Sequence, residues 1–227
     1  GSWARIVEAS PFFVPSLVVM AGSKLTIVIL SGMSGYLAVA YYGAANGLVE
    51  RLGAIPDGIC TALYPTMTAL HRRSPVEAGR LFRQFFLLSM ALALPLAVGT
   101  TLLASRIMVL VYGASYAGAE GVLQILIWGM SVTFLTSVGS WTLGAIHHER
   151  QDGLIKVFST IVNVLLCVVL TRWFGAMGTA CAVLLAAGAS LVMLSVCIRR
   201  YLAVPSADAG QIVKVVGAQI AELALLG

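Results

Sequence analysis

The chain has 227 residues, of which 59% are hydrophobic and 10% charged, with a formal net charge of +5. Soluble domains carry roughly a quarter charged residues, so polar side chains are too few here to cover a water-facing surface. Composition therefore excludes a soluble fold, and the lack of interleaved basic and aromatic residues excludes a nucleic-acid partner despite the positive charge.

Long apolar runs with short polar breaks predict membrane-spanning helices. The first predicted span covers residues 11–33 and ends in an uncharged Ser31-Gly32-Met33-Ser34-Gly35 turn. The second, 37–70, contains Pro56 and Pro65, each of which removes an amide donor and predicts a kink. A polar segment follows, in which Ser74-Pro75 has the form of a helix start. The third span is 81–104, and Tyr112-Gly113-Ala114-Ser115-Tyr116 makes a short reversal before the fourth, 122–146. The fifth and sixth are 154–171 and 175–197. The expected fold is all-α: a six-helix transmembrane bundle over residues 1–204, followed by 205–227 as either an interfacial helix or the truncated start of a further span. Gly1 in place of Met, and an end at Gly227 inside an apolar stretch, lead us to expect a piece of a longer protein.

Basic residues set an expected orientation. Arg5, Arg72, Arg73, Arg80, Arg83, Arg150, Lys156, Arg199 and Arg200 fall before the first span or after the second, fourth and sixth. The other loops hold only Arg106 and Arg172, which is the positive-inside bias with the first residue cytoplasmic. Cys60, Cys167, Cys181 and Cys197 all lie in apolar runs without metal-ligand spacing, and His147-His148-Glu149 lacks the spacing of a zinc motif. No metal site is expected, and no nucleophile elbow, phosphate loop or aqueous carboxylate pair supports an enzyme.

Lys24, Glu50, Arg51 and Asp57 fall inside predicted spans. Each ionised group at mid-bilayer costs about 2.5–3.5 kcal/mol on the insertion scale, so four facing lipid would cost on the order of 10 kcal/mol. They are expected to face a watery cavity, the bundle interior or one another. Asn46, Glu50 and Asp57 share one helix face, because four and seven residues are close to whole turns. The functional reading is a hydrophilic cavity for a charged or sugar-bearing substrate. The structural alternatives are a neutralising Lys24–Glu50 ion pair, or Lys24 and Arg51 reaching toward an interface.

Three stretches carry a resemblance. The first runs Tyr41-Tyr42-Gly43-Ala44-Ala45-Asn46-Gly47-Leu48-Val49-Glu50-Arg51-Leu52-Gly53-Ala54-Ile55-Pro56, then Thr61 to Pro65. The second is Ile107-Met108-Val109-Leu110-Val111-Tyr112-Gly113 with Tyr116, Ala119 and Leu123. The third is Asn163 with Trp173-Phe174-Gly175-Ala176-Met177-Gly178-Thr179-Ala180. In order and spacing they resemble the polysaccharide-biosynthesis flippases of the multidrug/oligosaccharidyl-lipid/polysaccharide exporter superfamily, in its C-terminal six-helix lobe. That resemblance implies one lobe of a two-lobed flippase/antiporter fold in the bacterial inner membrane. The lobe would move undecaprenyl-pyrophosphate-linked oligosaccharide by alternating access, with the N-terminal lobe of the same protein and the lipid bilayer as partners.

Within that reading, Lys24, Arg51 and Asn46 are candidates for substrate binding, and Glu50 and Asp57 for a coupling proton or sodium ion; no other cofactor is expected. Two alternatives in the same superfamily are a lipid-linked peptidoglycan-precursor flippase and a multidrug/cation antiporter, against which Lys24 and Arg51 weigh. A non-transporting membrane scaffold is the alternative of another class.

Overall fold

The computed structural model describes the backbone of residues 2–202 and the side chains of 15–202; the expected interfacial helix at 205–227 lies outside the described residues. Five α-helices follow one another: α1 (Ser2–Leu52), α2 (Ala54–Arg73), α3 (Pro75–Tyr112), α4 (Glu120–Ala145) and α5 (Glu149–Tyr201), with a 3-10 turn at Ala114–Ala119 before α4. Among the described residues, four helical runs are long and apolar enough to cross a membrane: Pro15–Arg73, Pro75–Tyr112, Ala114–Ala145 and Glu149–Tyr201.

The element boundaries differ from six separate helices because two expected turns shrink to single glycines. Helix α1 continues through Ser31 to Ser34 and breaks its helical geometry at Gly35, with φ 77° and ψ 177°. Helix α5 does the same at Gly175, with φ 56° and ψ −131°. Only glycine reaches these backbone conformations without a Cβ clash.

Both helices double back at these points. Thr171 and Thr179 share a hydroxyl hydrogen bond of 2.8 Å, whereas eight residues along a straight helix would separate them by about 12 Å. Ser159 donates to the Ala186 carbonyl at 3.0 Å, and Gln151 reaches the Tyr201 hydroxyl near the two ends of α5. In α1, Val19 and Ser23 line the same cavity as Asn46 and Glu50. We refer to 15–34 and 36–52 as the first and second limbs of α1, and to 149–174 and 176–201 as those of α5.

The kink expected at Pro56 appears three residues earlier. A proline ring crowds the carbonyl four residues before it, here that of Leu52, and cannot donate to it. Helix α1 accordingly ends at Leu52, and the Gly53 amide bonds the Glu50 carbonyl at 3.1 Å, in a three-residue turn. Pro65 is accommodated within α2 and Pro95 within α3. At the start of α3 the expected signal is realised: Pro75 is the first helical residue and the Ser74 hydroxyl accepts from the Glu77 amide at 3.4 Å.

Small residues bring the helices together, as they do where lipid offers no hydrophobic drive between them. Ala45, Ala97, Ala104 and Ala180 are fully buried in the larger core cluster with Ile127. Gly129 of α4 lies so near α5 that an added Cβ would sit 3.6 Å from the Leu184 backbone. A second cluster, including Met67, Leu143, Ile155, Leu194 and Ile198, gathers the end of α2 and both ends of α5. Arg72 and Arg73 close α2 and Arg199 and Arg200 close α5, so this is the arginine-rich end of the body. The outward faces are apolar: Leu110 is 87% and Leu102 78% exposed.

Polar side chains within this apolar body satisfy themselves locally. The hydroxyls of Thr61, Thr101, Thr142 and Thr160 each donate to the carbonyl four residues earlier, at 2.7–2.8 Å. Bonding of this kind closes the donor inside its own helix.

Candidate functional site

A cavity of about 380 Å³ opens where both limbs of α1 meet α4 and α5. The first limb of α1 supplies Ser23, Lys24 and Thr26, and the second supplies Tyr42, Asn46 and Glu50. Helix α4 adds Thr133 and Thr136; α5 adds Ser159, Thr160, Asn163 and Ser190. Three of the sequence-predicted residues, Lys24, Asn46 and Glu50, thus line one hollow.

Its chemistry follows from this wall. Asn46 Nδ2 donates to Glu50 Oε1 at 2.7 Å, one helical turn apart, which fixes the carboxylate and leaves the amide oxygen as an acceptor. Across the cavity, buried Thr26 donates to Asn163 Oδ1 at 3.1 Å and also reaches the Gly22 carbonyl at 3.0 Å. That bond ties the first limb of α1 to α5. The packing there is tight, since a Cβ on Gly22 would run into the Thr160 methyl group. Hydroxyls, amides, one ammonium and one carboxylate give the hollow donors and acceptors of both kinds.

Arg51 and Asp57 are placed differently. Arg51 is exposed and does not line this cavity, being about 100° around the helix from Glu50. Asp57 lies beyond the break at Gly53 and lines a second cavity, with Tyr64, Trp141 and Asp152. The expected face of Asn46, Glu50 and Asp57 is divided because the helix does not run straight through Gly53. Among the described residues Lys156 forms an ion pair with Asp152 at 2.6 Å and His147 Nδ1 lies 3.9 Å from Glu149, while Lys24 and Glu50 are not paired. No group of three His, Cys, Asp or Glu among the described residues is placed to hold a metal ion.

Most of the cavity's hydroxyl lining was not singled out from sequence. Thr26, Thr133, Thr136, Ser159 and Ser190 sit in apolar helices, where a hydroxyl is common and carries no facing signal on its own. Asn163, like Asn46, is an amide whose two-sided hydrogen bonding demands partners in an apolar run.

Apolar helices that double back inside one body, around a hydrophilic hollow, define a multi-pass membrane protein with the build of a transporter. The family model of the lipid II flippase MurJ matches residues 8–227, and the chain belongs to that family. No curated protein matches the chain. Among solved structures it is similar to one described as lipid II flippase MurJ in its inward closed conformation, with a TM-score of 0.68 and 16% identity, over 83% of this chain and 41% of that one. At that identity the likeness concerns the fold, and the chain spans under half of that relative's length.

The family is described as one of lipid II flippases. Membership shifts the expected branch. The match is not to the polysaccharide branch but to the peptidoglycan-precursor alternative. The motifs behind the resemblance are mostly small and apolar residues, which report how helices pack and say little about the cargo.

Proposed function

We propose that this chain is one helical lobe of an alternating-access flippase that moves a lipid-linked peptidoglycan precursor, lipid II, across the bacterial plasma membrane. The observation that carries the reading is the polar cavity holding Lys24, Asn46 and Glu50 within apolar helices, in a chain of the lipid II flippase family. A precursor head group is rich in hydroxyls, amides and phosphate, and a wall of hydroxyls and amides with an ammonium matches that chemistry.

In this reading the limbs of α1 and α5 each cross the membrane once, so the body makes six crossings. The arginine-rich end faces the cytoplasm, in line with the charge bias. A second lobe of the same protein packs against the exposed side of α1 and α2, and the two rock about the substrate. Lys24 and Arg51 hold the pyrophosphate, Arg51 from the rim that meets the second lobe. Asn46 orients the head group, while Glu50 and Asp57 exchange a coupling proton or sodium ion.

The test uses the full-length protein in vesicles, supplied in parallel with a lipid-linked disaccharide-peptide and a lipid-linked oligosaccharide repeat unit. Translocation of the first and not the second is the expected result. Movement of the repeat unit alone would return the chain to the polysaccharide branch, and movement of neither would leave the scaffold reading standing.

A further inference from the structure

The second cavity, about 760 Å³, lies at the arginine-rich end between the first limb of α1, α2, the end of α4 and the start of α5. Val19 lines both hollows, so the two adjoin along the first limb of α1. Their chemistry is different. The wall of the second carries three carboxylates, Asp57, Glu149 and Asp152, against one ammonium, Lys156.

The charge inversion is local. This end of the body carries Arg72, Arg73, Arg199 and Arg200, and the chain as a whole is basic, yet among the described residues no arginine lines the cavity. Lys156 is already committed to Asp152 Oδ2 at 2.6 Å. Asp152 Oδ1 is shielded from solvent and has no hydrogen-bond donor among the described residues, on a side chain only 13% exposed. Glu149 has His147 3.9 Å away, so among the described residues the unmet acceptor capacity rests on Asp57 and on Asp152 Oδ1.

Two further features select the kind of cation. The carboxylates are spread around the wall and do not converge as a metal cluster. An inorganic ion needs several oxygens at about 2–2.6 Å from one point, whereas an organic ammonium on a longer arm can touch separated acceptors. An aromatic pair also flanks the acids: Tyr64 and Trp141 meet edge to face with centroids 5.9 Å apart, and Tyr64 is anchored by donation to the Gly144 carbonyl at 3.3 Å. Indole faces attract ammonium groups.

We propose that this cavity receives the primary ammonium group on the peptide arm of a lipid-linked peptidoglycan precursor, while the polar hollow beside it takes the sugar and phosphate. The inference rests on the function proposed above. It makes Asp57 and Trp141 specificity-determining residues, reading the free amine of a diamino acid in the peptide.

Full-length protein in nanodiscs of phosphatidylglycerol, which has no amine, is titrated with two precursors, one with the peptide amine free and one with that amine acetylated. Acetylation is expected to weaken binding to the unaltered protein about tenfold, the loss of one charge-assisted contact. The ratio should fall to about threefold or less in Asp57→Asn and in Trp141→Leu. The comparison between ligands in the unaltered protein stands even if a variant fails to fold.

Equal binding of the two precursors overturns the inference and leaves the flippase reading intact. A tenfold ratio preserved in both variants also overturns it. Binding of neither precursor removes the flippase reading, and this inference with it. A preference that vanishes when phosphatidylethanolamine is added to the discs assigns the cavity to a lipid head group and overturns the peptide assignment.

Discussion

Replacing Gly178 by alanine tests the doubled-back geometry of α5 most directly. An added Cβ would overlap the Leu170 carbonyl oxygen, well inside van der Waals contact, and lie 3.0 Å from the Thr171 amide nitrogen. Both are backbone atoms of the facing limb and cannot rotate aside. Overpacking of this kind costs about 1–3 kcal/mol, and parting the limbs also stretches the Thr171–Thr179 hydroxyl bond, a class worth about 0.6 kcal/mol between membrane helices. The gain in helix propensity from glycine to alanine returns only about 1 kcal/mol. The expected net loss is about 0.6–2.6 kcal/mol. Gly188 is the internal control, because it lies in the same limb and a Cβ there meets nothing within 4 Å. Gly188→Ala should be neutral or stabilising by up to about 1 kcal/mol. Unfolding of the full-length protein in mixed micelles, titrated with sodium dodecyl sulfate and followed by circular dichroism, compares the two. A Gly178→Ala protein that unfolds at the same detergent fraction as Gly188→Ala, or later, would refute the reversal at Gly175.

Other outcomes follow from the same geometry. Gly35→Val forces a β-branched residue to φ 77° and should cost about 1–3 kcal/mol in the same detergent titration. Thr26→Val and Asn163→Leu, combined in a double-mutant cycle, should show a coupling of about 0.6 kcal/mol and no more than about 1.7 kcal/mol; zero coupling would mean that the 3.1 Å bond does not hold the first limb to α5. Lys24→Ala should slow precursor translocation by vesicles containing the full-length protein at least about tenfold, with protein level unchanged on a blot. Ser74→Ala should lower stability by only about 0.5 kcal/mol, since its capping bond is long at 3.4 Å.

Much of the helical plan was legible because hydrophobic length and arginine placement are strong, redundant signals. The start at Ser74-Pro75 was readable from two residues. Gly35 and Gly175 were less so. The turn at Ser31 to Gly35 was readable, but among 23 glycines in the chain composition does not say which one takes positive φ, since an apolar glycine also serves close packing. The intramembrane charges led to the expectation of a hydrophilic hollow, and Lys24, Asn46 and Glu50 line one cavity. The charges did not foretell the partition of Asp57 into another cavity, because ideal helical spacing takes no account of Pro56 acting on Leu52. The hydroxyl wall was hidden for a related reason: a threonine bonded to its own helix has no need of a cavity, and only packing decides which ones border it.

The threonine hydroxyls that close on the carbonyl four residues back carry a consequence for biogenesis. A helix whose polar side chains find their acceptors within the same turn enters hydrocarbon with little left unsatisfied, whatever else has been synthesised by then. Insertion can therefore proceed segment by segment as the ribosome delivers them. The contacts that remain for later are few and specific, such as the link from Thr26 to Asn163, separated by 137 positions in sequence.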